Sequence, residues 1–299
     1  MKIFDLELVS PCNATCDFCP QSFRGVKRKQ PFMDVDLMDR ITAEIGEMAL
    51  EEERVQVSIC GMGENLLRKP LVLRALDNLQ RRSNDRIETL LVTNGSKLTA
   101  DLLEHEAFRK LSAIQVSFTG VGKESYEAIF GLKFEAVVEN VAMMKQKFPG
   151  NIYIRTVDLK KLQPRKEEFV AFWKDKGLGI SFSSLHSRGG HITDPEAYPG
   201  RVRQFAGCEI FDMVTFVSSD GEVLSCCHDV TSAHVVGDCR VSTLAEIIAK
   251  KREMQAAQFP GFEICSKCTD FTLSSSGRVI DRSQTRDAGA RPTETCTSP

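Results

Sequence analysis

The sequence lacks the features that would place it in a bilayer, in an export route or on nucleic acid. No apolar run approaches the roughly 18 residues that a membrane span requires. The start, Met1-Lys2-Ile3-Phe4-Asp5-Leu6-Glu7, carries acids where a signal peptide has its apolar core, so a cytoplasmic protein is expected. Lys and Arg total 39 against 41 Asp and Glu. That near-neutral balance, with no basic stripe interleaved with aromatics, gives no electrostatic case for a nucleic-acid partner. The last four residues, Cys296-Thr297-Ser298-Pro299, lack the aliphatic middle of a prenylation signal. No internal repeat is visible, and the first cysteine group has no histidine nearby. What the chain does have is cysteine, 11 in 299 residues. In a reducing compartment, clustered cysteines point to metal or redox chemistry rather than disulfides.

Strand-like and helix-like segments alternate through the first two-thirds. Strands are expected at 3–9, 55–59, 87–92, 114–118, 152–157 and 180–183. Helices are expected at 34–48, capped by Asp34, and at 69–82, 100–111, 134–148 and 167–176. This rhythm implies an α/β fold with a parallel sheet covered by crossover helices. From about residue 201 the pattern changes to a hairpin, 211–217 with 222–225, then a helix over 244–256 and a cysteine knuckle. The expected divisions are 1–200, 201–273 as a small, separately ligated module, and a disordered tail over 274–299 that is poor in large apolar groups.

Cys12, Cys16 and Cys19 share one short loop after the first strand. Three thiolates on a four-iron cluster leave one iron open to an exogenous ligand, whereas a structural zinc site is closed by four ligands. The Cys-x3-Cys-x2-Cys spacing, with Phe18 before the third cysteine, resembles the radical S-adenosylmethionine (SAM) superfamily. Further segments extend the resemblance over residues 3–185: Gly61-Met62-Gly63-Glu64, Thr93-Asn94-Gly95, and Val116-Ser117-Phe118-Thr119-Gly120. All lie at the carboxyl ends of expected strands, where open α/β sheets bind their ligands. The resemblance implies a partial (β/α)6 TIM-like barrel and a [4Fe-4S] cluster on Cys12, Cys16 and Cys19. It also implies SAM bound by Phe18, Gly61, Gly63, Glu64, Asn94, Ser117 and Arg155. Met62 and Thr119 depart from the family's glycine and aspartate.

Cys208, Cys226, Cys265 and Cys268 are candidate ligands of a second site, which four thiols close. A Cys-x2-Cys pair within four cysteines also suits tetrahedral zinc. The Gly221-x4-Cys226 hairpin, a turn at 235–238 and the helix before the knuckle resemble the twitch form of the SPASM-like auxiliary domains. That resemblance implies one auxiliary [4Fe-4S] cluster, hence two clusters in all. Arg188-Gly189-Gly190 is similar to a segment of aminocyclitol dehydrogenases of this superfamily, which makes Arg188 a substrate-binding candidate. Cys227, directly after Cys226, would point the opposite way along a continuing strand. It is the first candidate for a thiol that returns hydrogen to a substrate radical, with Cys239 the second.

The resemblance to aminoglycoside-pathway members of the superfamily, together with the extra thiol of Cys227, implies epimerisation of an aminoglycoside sugar carbon. The alternatives are dehydrogenation of an aminocyclitol or sugar alcohol, and maturation of a ribosomal peptide. The early first strand favours a small substrate, since peptide maturases usually carry an additional leader-binding domain. The expected partners are a polycationic sugar and a reductant such as flavodoxin or ferredoxin. Acids that would meet the polycation are sought in Asp194, Glu196, Glu209, Asp212 and Asp229.

Overall fold

The computed structural model describes residues 2–51, 54–82, 86–193, 208–257 and 261–269. The expected tail with Cys296, the acids Asp194 and Glu196, and the boundary near 200 lie outside these, as does the Glu209 side chain. Among the described residues no helix is long and apolar enough to cross a membrane.

Six strands form the expected parallel sheet: β1 (Lys2–Leu6), β2 (Val55–Ile59), β3 (Ile87–Thr93), β4 (Ala113–Ser117), β5 (Asn151–Asp158) and β6 (Gly179–Ser184). Crossover helices separate them, chiefly Val35–Glu51, Lys69–Arg82, Phe134–Lys147 and Lys166–Lys174. The first begins where Asp34 Oδ1 accepts from Leu37 N at 3.0 Å, the expected cap. The expected helix over 100–111 is two short ones, Ala100–Glu104 and Glu106–Arg109. Extended backbone at His105 breaks it, and the imidazole Nδ1 then caps the second helix by accepting from Ala107 N.

Alternation along the strands sorts their side chains onto two faces. Phe4, Leu6, Val57, Ile59, Leu91, Ile114, Val116 and Ile154 join helix residues such as Ile41, Ile45, Leu76 and Val141 in the main core. The alternate positions share the concave face. There Leu90, Ala113 and Tyr153 form a small separate apolar cluster, and Asp5, Ser58, Gln115, Ser117, Arg155 and Ser181 make the rest of the face polar.

The C-terminal region is built onto this sheet, not set apart from it. Strand β7 (Val214–Val217) pairs in parallel with β1, then β8 (Glu222–Leu224) and β9 (Val235–Asp238) follow antiparallel. One nine-stranded sheet results, in the order β6-β5-β4-β3-β2-β1-β7-β8-β9. Residues 235–238, expected as a turn, are therefore strand. Residues 211–213 belong to a short helix, Glu209–Met213, instead of the hairpin. The helix Leu244–Ala256 matches its expected limits, fixed by a capping box between Thr243 and Glu246.

Candidate active site

The loop bearing Cys12, Cys16 and Cys19 runs from the end of β1 into the short helix Pro20–Arg24. It is gripped by an element the sequence did not reveal, the helix Lys123–Phe130. The carbonyls at that helix's C-terminus have no partners within the helix. Phe130 O accepts from Thr15 N at 2.9 Å and Ile129 O from Asp17 N at 3.3 Å. Gly131 closes the helix at φ +66, where a Cβ would lie 2.3 Å from Thr15 Oγ1, so glycine lets the loop approach. The Phe18 ring meets Phe130 edge-on at 6.2 Å. Tyr126 stacks on Phe130 and on Phe118, which meets the buried Trp173. Phe18 thus anchors the loop to the barrel wall.

Burial pushes the Cys12 and Cys16 thiols above their ordinary value, and the charges of neighbouring cysteines add to the effect. Thiols held this way gain from a metal that binds them as thiolates. Among the described residues, no three His, Cys, Asp or Glu side chains could hold one metal ion.

The segment Gly61-Met62-Gly63-Glu64 leaves β2 against this loop. A Cβ on Gly63 would lie 2.4 Å from the carbonyl oxygens of Val9 and Pro11, so only glycine permits the contact. Glu64 N donates to Pro11 O at 3.0 Å. Glu64 itself is 1% exposed. Its Oε1 accepts from Leu66 N and Thr93 Oγ1, and its Oε2 from Asn94 N at 2.7 Å. Expected as a ligand-binding carboxylate, it has instead three donors of its own and ties β3 to the loop. Burial raises its pKa and those donors oppose the rise. Asn94 Nδ2 donates to Asn13 Oδ1 at 3.0 Å and reaches Cys12 Sγ at 4.0 Å. Ser117 and Arg155 face each other in register on β4 and β5, and Arg155 donates to Ser181 Oγ. Thr119, at the position of the family's aspartate, accepts from Val157 N at 3.1 Å and serves the sheet.

A buried ion pair that sequence reasoning missed locks these pieces together. Glu7 and Arg28 side chains are 0% and 2% exposed, with Arg28 Nε 2.8 Å from Glu7 Oε1. Glu7 also accepts from Met62 N at 2.8 Å and from Ser219 N at 3.3 Å. Arg28 Nη1 donates to Val230 O and Ser232 Oγ. Glu7, between the apolar Leu6 and Leu8, was the available signal; Arg28, between Lys27 and Lys29, carried none.

The structure brings the four expected auxiliary cysteines into one neighbourhood. Burial raises the Cys226 thiol, with Cys227, Cys268 and Cys265 adding to it. Burial likewise raises Cys265, and Cys208 adds its charge. The Arg188 loop docks on the knuckle: Ser187 Oγ donates to Lys267 O at 2.6 Å, and Ser187 N donates to Thr269 Oγ1 at 2.8 Å.

Cys227 has different company. β8 ends at Leu224, so Cys226 and Cys227 sit in a turn closed by Asp229 N donating to Cys226 O, not on a continuing strand. Their surroundings diverge nonetheless. Burial acts to raise the Cys227 thiol, but His228, with Nδ1 3.9 Å from Sγ, and Arg188 outweigh it; the net shift is downward. Asp5, from the concave face of β1, also acts on Cys227. The His186 and His228 rings lie 4.4 Å apart beside this group. Asp5, His186 and His228 had not been singled out; an acid within an apolar strand was the one sequence signal.

Two expectations need correction. Asp229 is 1% exposed, and its carboxylate accepts from Ala233 N and His234 N at 2.9 and 2.8 Å. It organises its own loop and offers nothing to a substrate. Cys239 is 2% exposed in the main core, against Arg40 and Glu44 of the helix Val35–Glu51, and burial pushes its thiol up to about 12. It is a packing residue. Asp212, also considered for a cation, is exposed and held by Gln255 Nε2 at 2.9 Å.

Comparison with known proteins agrees with this geometry. No curated protein matches the sequence at a significant level. Among solved structures, BtrN in complex with AdoMet and 2-DOIA is 18% identical, with TM-score 0.60 over 91% of this chain and 94% of that one. Native anSMEcpe with bound AdoMet and Cp18Cys peptide is also 18% identical, with TM-score 0.66 over 91% and 87%. Streptococcus suis SuiB bound to precursor peptide SuiA is 14% identical, with TM-score 0.61 over 82% and 64%. Likeness at these identities establishes the fold. A SPASM model, described as an iron–sulfur cluster-binding domain, matches residues 208–269. The radical SAM superfamily model matches residues 7–172, more than half of the chain, and the protein belongs to the radical SAM superfamily.

Proposed function

We propose that the chain is a radical SAM epimerase. In this reading Cys12, Cys16 and Cys19 hold a [4Fe-4S] cluster that binds SAM, and Cys208, Cys226, Cys265 and Cys268 hold one auxiliary [4Fe-4S] cluster. Cys227 returns hydrogen to a carbon of an aminoglycoside-type sugar, as in conversion of neomycin C to neomycin B. The observation that carries the reading is the divergence of two adjacent thiols: Cys226 neighbours Cys265 and Cys268, while Cys227 neighbours Asp5, Arg188 and the His228 imidazole; the His228 backbone meets Cys226. When bound, the first cluster and SAM supply a 5′-deoxyadenosyl radical able to take hydrogen from an unactivated carbon.

The protein's share is positioning and exclusion of water. The Gly61–Glu64 segment, held by Glu7 and by the cysteine loop, offers the edge for the SAM amino group. Asn94, Ser117 and Arg155 line the rim, where the Arg155 guanidinium suits the SAM carboxylate. Phe18 fixes the loop beside it. Asp5 replaces Asp229 as the acid for a substrate ammonium or hydroxyl, and Arg188, which acts on the same Cys227 thiol, approaches from the auxiliary side. An S–H bond is weaker than a C–H bond, so hydrogen transfer from Cys227 to the substrate radical runs downhill. The thiyl left on Cys227 takes one electron from a reductant, flavodoxin or ferredoxin, and one proton, which restores the thiol.

Cys227→Ala tests this. The variant should still release 5′-deoxyadenosine when given an aminoglycoside substrate but deliver no inverted sugar. In deuterium oxide the wild type should place one solvent deuterium in the product. A product lighter by two hydrogens, formed equally by the variant, would instead mark a dehydrogenase.

A further inference from the structure

We propose that Lys251 is a built-in counter-charge of the auxiliary thiolate site and raises the reduction potential of the cluster held there. The inference rests on the reading that Cys208, Cys226, Cys265 and Cys268 hold an iron–sulfur cluster. Lys251 lies in the helix Leu244–Ala256, whose buried positions are Leu244, Ile247 and Lys251. A leucine would fill the third of these at no electrostatic cost. The lysine is 3% exposed there, and a buried ammonium is expensive unless compensating charge lies close.

The carbonyl and the ring that meet its ammonium are neutral. Nζ donates to Val214 O at 2.6 Å and lies 5.1 Å from the centroid of the Phe211 ring. Phe211 lies within, and Val214 at the end of, the short helix Glu209–Met213 whose N-cap position is Cys208, so the ammonium is packed onto the element that starts at a candidate auxiliary cysteine. Burial pulls the Lys251 ammonium down to about 8, and the anions that oppose this are Asp212, Cys226 and Cys208. Asp212 is exposed and hydrogen-bonded by Gln255, so water screens its share. The two thiolates are the less screened anions. A cluster on four thiolates is anionic and gains one more negative charge on one-electron reduction. A positive charge nearby, present below about pH 8 and held more firmly beside an anionic cluster, favours the reduced form.

Three variants of the full-length, anaerobically reconstituted protein separate charge from hydrogen bonding and packing. Lys251→Arg keeps the charge, Lys251→Gln keeps a donor without charge, and Lys251→Met keeps only apolar bulk. Potentiometric titration followed by electron paramagnetic resonance reads the auxiliary couple; the other cluster is recognised by its response to added SAM. The glutamine and methionine variants should shift the one-electron reduction equilibrium toward the oxidised form by about tenfold or more, about 59 mV lower in potential. The arginine variant should stay within about twofold of wild type. A glutamine variant that titrates like wild type overturns the proposal, because the donor alone then suffices. Iron and sulfide are counted on each variant. Loss of iron from both neutral variants but not from the arginine variant supports the proposal, whereas loss from all three overturns it. Zinc in place of iron in the wild type would instead refute the cluster reading beneath it.

Discussion

Replacing Arg28 by methionine removes one half of an ion pair that water does not reach. Glu7 stays 0% exposed with its charge, and breaking such a pair typically costs about 3–5 kcal/mol. Two backbone donors, Met62 N and Ser219 N, remain on the carboxylate, which places the cost at the lower end, about 3–4 kcal/mol. For a chain of this size that is a fall in Tm of roughly 5–6 °C. The double variant Glu7→Gln with Arg28→Met should lose less than the sum of the single losses, by at least about 1 kcal/mol, because the two groups share one interaction. Anaerobic denaturant unfolding of the four proteins measures this cycle. A loss below about 1 kcal/mol for Arg28→Met, or strict additivity, would refute the view that this pair joins the Gly61–Glu64 segment to the auxiliary region.

Gly63→Ala places a methyl 2.4 Å from two carbonyl oxygens. SAM affinity should fall at least about tenfold as the loop shifts, while iron at the four-cysteine set is unchanged; equilibrium SAM binding and iron counts check both. Asp229→Ala removes the acceptor for Ala233 N and His234 N and should cost about 1–3 kcal/mol in unfolding experiments. Cys239→Ala should leave iron content and SAM cleavage intact. Because burial holds the Cys239 thiol near 12 instead of 9.0, the folded state binds its proton more tightly than the unfolded state. Stability from this group is therefore complete below about pH 9 and declines as pH rises toward 12. At about 1.4 kcal/mol per pH unit, that loss is capped near 4 kcal/mol. Unfolding curves across pH 8–11 should fall more steeply for wild type than for the alanine variant.

Elements with local signals were readable to the residue. The Thr243 capping box and helical periodicity set 244–256, and β-branched residues between polar neighbours set β2. The helix Lys123–Phe130 was missed because only Tyr126, Ile129 and Phe130 form its apolar face, too short a stretch to show a period. The joining of β7 to β1 was not legible, since strand periodicity names a buried face but not a pairing partner. At the site, the seven candidate ligand cysteines were marked by spacing and by resemblance. The acid proposed to meet a substrate was not. Asp229 looked available on a loop but is consumed by that loop's own amides, whereas Asp5 was hidden inside an apolar strand and reaches the concave face through alternation. The Cys226–Cys227 pair was told apart in the sequence by strand alternation, but β8 ends at Leu224 and the two thiols differ through the surroundings that folding supplies.

The most direct test of the account is chemical analysis and turnover of the anoxically reconstituted protein. Wild type should carry iron and sulfide for two four-iron clusters and, with dithionite, SAM and an aminoglycoside acceptor, release 5′-deoxyadenosine. A Cys12→Ala, Cys16→Ala, Cys19→Ala variant should lose one cluster's iron and all of that release. Zinc at both sites, or no 5′-deoxyadenosine from wild type with any acceptor offered, would contradict it.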